Sequence, residues 1–228
     1  MGDPEDEGGL MVKRLSAMCV AVVAMALVAG CGGGSGSAHV ASSPPATTAA
    51  AAATTATVAT PAASFDPENV LPALSEMPTG WVKDEDDDDD KVLCDTHLFD
   101  PATAQAEVTY SDQGQLPQLE VKAGSFPPGG AAEAMRQGRA TYDACKQYER
   151  DGITWTVSPA SFPALGEDSF AYLATADVQG VDVAALFIVM RSGDGVVGVA
   201  YGDFASVDTS AVEGYARRAL ARLKEAQQ

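Results

Sequence analysis

Ala184-Ala185-Leu186-Phe187-Ile188-Val189-Met190-Arg191-Ser192-Gly193-Asp194-Gly195 is the stretch that decides the fold. From Ala184 to Met190 every residue is apolar, so neither side of the run is suited to water. Such a run fits a central strand covered on both faces. Ser192-Gly193-Asp194-Gly195 is a tight hairpin signal, because its glycines reach backbone conformations that other residues resist. Val196 to Tyr201 then returns antiparallel.

The pattern extends upstream. Phe170 to Ala176 reads as a strand, separated near Gln179-Gly180 from the strand Val181 to Arg191. Ile153, Trp155 and Val157 alternate with Thr154 and Thr156, and Leu119 to Ala123 alternates in the same way, the period of a half-buried strand. Glu107 to Ser111 is also strand-like. Pro127-Pro128-Gly129-Gly130 stops the sheet pattern. Ala131 to Tyr148 follows with Ala131, Ala134, Met135, Tyr142, Cys145 and Tyr148 at helical spacings. A closing helix carries Val212, Tyr215, Ala216, Ala219, Leu220 and Leu223, opened by Asp208 or by Ser210 with Glu213 three residues on. Asp66-Pro67-Glu68 starts a short N-terminal helix with Val70, Leu71 and Leu74 on its apolar side. The expected class is α+β: an antiparallel sheet of about five to six strands, packed by two longer helices and a short N-terminal one, with one disulfide.

Ahead of this domain the chain changes character. Leu27-Val28-Ala29-Gly30-Cys31 matches a lipobox, in which small residues precede a cysteine that is acylated and becomes the first residue of the mature chain. Met11-Val12-Lys13-Arg14 is the basic start that an export leader needs, whereas Met1 to Leu10 is acidic, so translation is expected to begin at Met11. Leu15 to Ala29 is too short for a comfortable bilayer span. Residues 1–30 therefore read as a lipoprotein signal peptide, and residues 31–63 as a lipidated linker of Gly, Ala, Thr, Ser and Pro. The linker has too little apolar surface to order, and its root-mean-square reach is roughly 30 Å. Its threonines suit O-linked sugars; an unmodified spacer is the alternative. Residues 64–228 form the exported domain. The expected location is the outer face of the cell membrane, held by the lipid on Cys31.

Charge limits the partners. The formal net charge is −18, and removing the leader leaves about −16. Such a surface is repelled by nucleic acid and by anionic headgroups, so the lipid rather than a basic patch makes the membrane attachment.

Of four cysteines, Cys19 leaves with the leader and Cys31 is acylated. Cys94 and Cys145 remain, and an oxidising compartment favours a disulfide between them. Two buried free thiols are the alternative.

Catalytic sets are scarce. His97 is the domain's one histidine, and there is no Gly-x-Ser-x-Gly elbow, phosphate loop or His-Glu-x-x-His. No cofactor or metal is expected. The run Asp84-Glu85-Asp86-Asp87-Asp88-Asp89-Asp90-Lys91 lacks the alternation and central glycine of a calcium loop and reads as a solvated loop. Glu167 and Asp168, which follow Gly166, are the carboxylates a divergent hydrolase would use; a solvated turn is the alternative. Trp81, Trp155, Phe162, Phe170, Tyr172 and Phe187 are candidates for a pocket on the sheet, with Trp81, Trp155 and Tyr172 put forward as ligand contacts. Plain core is the other reading of each.

Leu71-Pro72-Ala73-Leu74, Pro78-Thr79-Gly80-Trp81, Cys94, Cys145, the segment Ala184 to Asp194 and the final helix together resemble the actinobacterial PknH-like extracellular sensor domain over about residues 65 to 226. The alanine-rich, asparagine-poor composition suits a high-GC actinobacterium. The resemblance implies a sheet-and-helix domain with a cleft for an unidentified ligand, found outside a receptor kinase or alone as a lipoprotein. This chain has no kinase and one candidate disulfide where the kinase-linked form has two. The resulting expectation is a non-catalytic lipoprotein that binds an unidentified envelope ligand. The alternative is an interaction lipoprotein that recruits an envelope protein.

Overall fold

The computed structural model describes residues 64–84 and 93–228. The leader, the lipobox with Cys31, the linker and all of the acidic run except Asp84 lie outside the described residues.

Eight antiparallel strands form one sheet: β1 (Trp81–Lys83), β2 (Ala104–Asp112), β3 (Gln115–Ser125), β4 (Gln147–Arg150), β5 (Ile153–Pro159), β6 (Asp168–Val178), β7 (Val181–Ser192) and β8 (Gly195–Phe204). Their spatial order is β1-β2-β3-β8-β7-β6-β5-β4. Helix α1 (Gly130–Ala144) and helix α2 (Thr209–Ala226) pack on the sheet, and the N-terminal segment contributes short 3-10 turns at Pro67–Val70 and Leu74–Glu76. The expectation of five to six strands is corrected to eight.

Both additional strands have a physical explanation. The three residues of β1 are too few to show a period, and they become a strand by pairing with Tyr110 to Asp112 of β2. β4 was hidden by coincidence: Tyr148 falls three residues after Cys145 and so extends the helical stripe. The helix in fact ends at Ala144, where the Cys145 N–H closes onto the carbonyls of Thr141 and Tyr142. The chain then turns at Asp151-Gly152, both residues at positive φ (53° and 75°), and pairs Tyr148 with Trp155. Asp-Gly is a two-residue hairpin signal, and glycine takes the second position because it carries no Cβ to clash.

Each face of the sheet has its own core. On one side Leu119, Val121, Leu186, Ile188, Met190, Val197 and Val199 meet Val212, Ala216, Ala219, Leu220 and Leu223 of α2, with Phe65 and Val70 from the N-terminal segment. On the other side Ala131, Ala134, Met135 and Tyr142 of α1 meet Phe170, Tyr172, Val189 and Val196. Strand β7 feeds both layers, which is why its sequence shows no polar alternation. Asp208 caps α2, accepting from the N–H groups of Ser210 and Ala211 at 2.9 and 3.3 Å, while Glu213 instead pairs with Arg217. Cys94 and Cys145 are bonded, with S–S 2.02 Å, tying the segment before β2 to the end of α1.

Candidate functional site

Two hairpins decide the geometry of the site. The β6–β7 hairpin closes on the pair Val178–Val181, and the β4–β5 hairpin closes on Arg150–Ile153. Antiparallel strands alternate which neighbour their main-chain groups address. Counted from these turns, the N–H and C=O of Thr154 and Asp177 point toward each other. The pairing between β5 and β6 nevertheless runs only from Thr156–Thr175 to Pro159–Tyr172. The sheet therefore forks one step beyond Thr156–Thr175. Past the fork, Ala176 to Val178 pair with β7 alone, and Ile153 to Trp155 pair with β4 alone.

The fork opens into a cleft of about 280 Å³ lined by Thr154, Thr156, Thr175, Ala176, Asp177, Asp182, Val183 and Ala205. Thr154, Thr156, Thr175, Asp177 and Asp182 share the sheet face that carries α2, but α2 packs on β7 and β8 and leaves this end uncovered. Asp177 and Asp182 are direct cross-strand partners. The Asp177 carboxylate accepts from the Gly180 N–H at 2.9 Å, which holds it beside the turn. The Asp182 carbonyl accepts from the Ala205 N–H at 2.8 Å and draws the end of β8 to the rim. The cleft thus offers hydroxyls, two carboxylates and a strand edge. This set suits hydrogen bonding to a polar ligand and favours positive charge.

The aromatic residues singled out in the sequence are not brought together here. Trp81 lies on the α2 face, stacked on Tyr201 with ring centroids 6.4 Å apart. Trp155 is on the opposite face, stacked on Tyr148 at 6.3 Å. Tyr172 is 3% exposed; its ring stacks on Tyr142 and its hydroxyl donates to Asp143 Oδ1 at 2.5 Å. Phe162 packs against the α2-side core, Phe170 belongs to the α1-side core, and Phe187 packs against that core partly buried. His97 is exposed and lies 3.1 Å from Asp100. Glu167 and Asp168 are engaged elsewhere, Glu167 with Arg191 and Gly193 and Asp168 with Arg139, and neither lines the cleft. Among the described residues no group of three or more His, Cys, Asp or Glu is placed to hold a metal ion.

A second polar feature lies on the α1 face. Glu120 of β3 is partly buried between Thr109 and Ala200. Loss of water, reinforced by the Glu107 carboxylate, pushes its carboxyl up to about 7, against the opposing pull of Lys122 and Arg150.

Thr154, Thr156, Thr175, Asp177 and Asp182 were not singled out from sequence. The available signal was the Asp-Gly turn read as a hairpin, which would have placed Thr154 opposite β4. That β5 then parts from β6 is not written in either strand.

The fold and cleft define a class: an α+β domain with one antiparallel sheet, a helix on each face and a fork near one edge. No family model matches the chain, and no curated protein does. Among solved structures it is similar to the crystal structure of the extracellular domain of PknH from Mycobacterium tuberculosis, at 12% identity and a TM-score of 0.46. That match covers 55% of this chain and spans 66% of that one, a distant likeness over about half of the molecule.

Proposed function

We propose that this protein is a lipid-anchored, non-catalytic binding module, tethered through Cys31 to the outer face of the cell membrane, whose domain takes an envelope ligand in the fork cleft. The observation that supports binding most directly is the open cleft itself, where hydroxyls and carboxylates converge beside a strand edge (Thr154, Thr175, Asp177, Asp182). The lipobox, linker and domain order supports the placement, and a disulfide accords with an oxidising compartment.

Two measurements test this reading. Intact mass of the membrane-extracted protein is expected to begin at Cys31 with a diacylglyceryl thioether, and Cys31→Ser is expected to lose the lipid and the membrane. A soluble cytoplasmic chain with a free Cys31 thiol would overturn the placement. For binding, the melting temperature is followed with envelope polysaccharide, phosphatidylglycerol vesicles and strand-forming peptides. A shift with one of them, lost on altering the cleft, is expected; no shift with any would overturn the binding role.

A further inference from the structure

The fork leaves a strand edge of β6 facing open space, and the side chains around it set the charge of what can lie there. We propose that the cleft accepts an extended, lysine- or arginine-bearing segment of another protein, which adds as a short strand beside Asp177. This rests on the cleft being the binding site of the preceding section and names its ligand class.

Three observations converge on this class. The first is the backbone: β5 stops pairing at Thr156–Thr175, so the main-chain groups of Asp177 meet no strand partner among the described residues, while Thr154 presents its own from the far side of the gap. Strand addition uses such groups, and here the edge offers one residue's worth, the N–H and C=O of Asp177 between the paired Thr175 and the turn at Gln179-Gly180. The second is space, since the cleft of about 280 Å³ opens along that edge. The third is charge: Asp177 and Asp182 sit side by side on one face. An incoming strand sends alternate side chains to that face, where a cation meets two carboxylates and an anion is repelled.

The same pair argues against a second copy of this chain. Edge-to-edge pairing of two such forks would set Asp177 and Asp182 against their duplicates, in a protein of net charge −18.

The test titrates the full-length chain with a strand-forming peptide of about six residues, alternating Thr and Lys, and with its Thr–Glu counterpart. Binding is read by calorimetry and by residue-resolved amide exchange. The Lys peptide is expected to slow exchange at Thr154 and Asp177, and to bind at least roughly tenfold more tightly than the Glu peptide. Asp177→Asn with Asp182→Asn keeps the side-chain acceptor at the turn and is expected to erase that preference. Asp177→Pro, which removes the main-chain donor, is expected to abolish binding. Equal affinity for both peptides, or protection confined to β1 or β4, would overturn the proposal. If polysaccharide or lipid vesicles protect these amides and the Lys peptide does not, the cleft stands as a binding site and the peptide class falls. If none of the probes protects them, both fall.

Discussion

The Glu167 carboxylate accepts a hydrogen bond from the main-chain N–H of Gly193 at 3.0 Å and faces the Arg191 guanidinium at 2.7 Å. Two residues held as hydrolase candidates on sequence are thus parts of a clamp: Glu167 fastens the β7–β8 hairpin, and Asp168 holds Arg139 of α1 at 2.6 Å. The clamp needs the glycine before it. Gly166 has φ +70°, and a Cβ there would lie 2.4 Å from the Arg191 carbonyl oxygen. Gly166→Ala is expected to cost about 2–4 kcal/mol in urea unfolding, from positive φ and the backbone clash together. A loss under about 0.5 kcal/mol, the range of an ordinary surface change, would contradict it.

The Glu167 carboxyl is held below its ordinary range, first by the Gly193 N–H and then by the Arg191 charge. Its stabilising contribution is present above the ordinary glutamate pKa and is lost as pH falls through the lower folded value. Because the side chain is half exposed, Glu167→Gln is expected to cost less than about 1 kcal/mol at neutral pH, with the difference vanishing in acid. Unfolding curves from pH 3 to pH 7, taken as about the span of that titration, check the sign.

Glu120 runs the other way. With its carboxyl raised to about 7, the folded chain binds its proton more tightly than the unfolded chain does. Stability therefore declines as pH rises from the ordinary glutamate value through about 7, by at most about 3 kcal/mol. Glu120→Gln is expected to raise the melting temperature at pH ~8 and to leave it nearly unchanged at pH ~4, below both values. Equal gains at both pH values would show that the carboxyl is not the cause.

The Cys94–Cys145 bridge spans a sequence separation of 51 residues. Replacing both cysteines by serine is expected to lower stability by up to about 4 kcal/mol on the chain-entropy account. Denaturant midpoints measured with and without reductant should differ for the native protein and coincide for the double variant.

Tyr172 is a core residue by geometry, stacked on Tyr142 with its hydroxyl bonded to Asp143. Tyr172→Phe is expected to cost about 1–2 kcal/mol by losing that hydrogen bond. Peptide affinity at the cleft should stay unchanged in the folded variant; a selective loss of binding at full stability would make Tyr172 a ligand contact.

The α+β class, the β7–β8 hairpin, the two long helices and the apolar stripes that face the sheet were legible in the sequence. These follow from local periodicity and turn chemistry, which a chain carries whatever it packs against. The number of strands was not legible there, because β1 is too short to have a period and Tyr148 of β4 fits a helical stripe as well as a strand; both become strands only through the partners they pair with. The cleft was further from view. It exists because β5 parts from β6 after Thr156–Thr175, and that parting belongs to how two hairpins meet rather than to either one. Aromatic residues drew attention in the sequence for their size, yet of the six only Phe170 and Tyr172 are buried, while Trp81, Trp155, Phe162 and Phe187 lie partly buried against the two cores. The threonines and aspartates of the fork drew none, since an exposed polar residue acquires meaning only from what the fold sets opposite it.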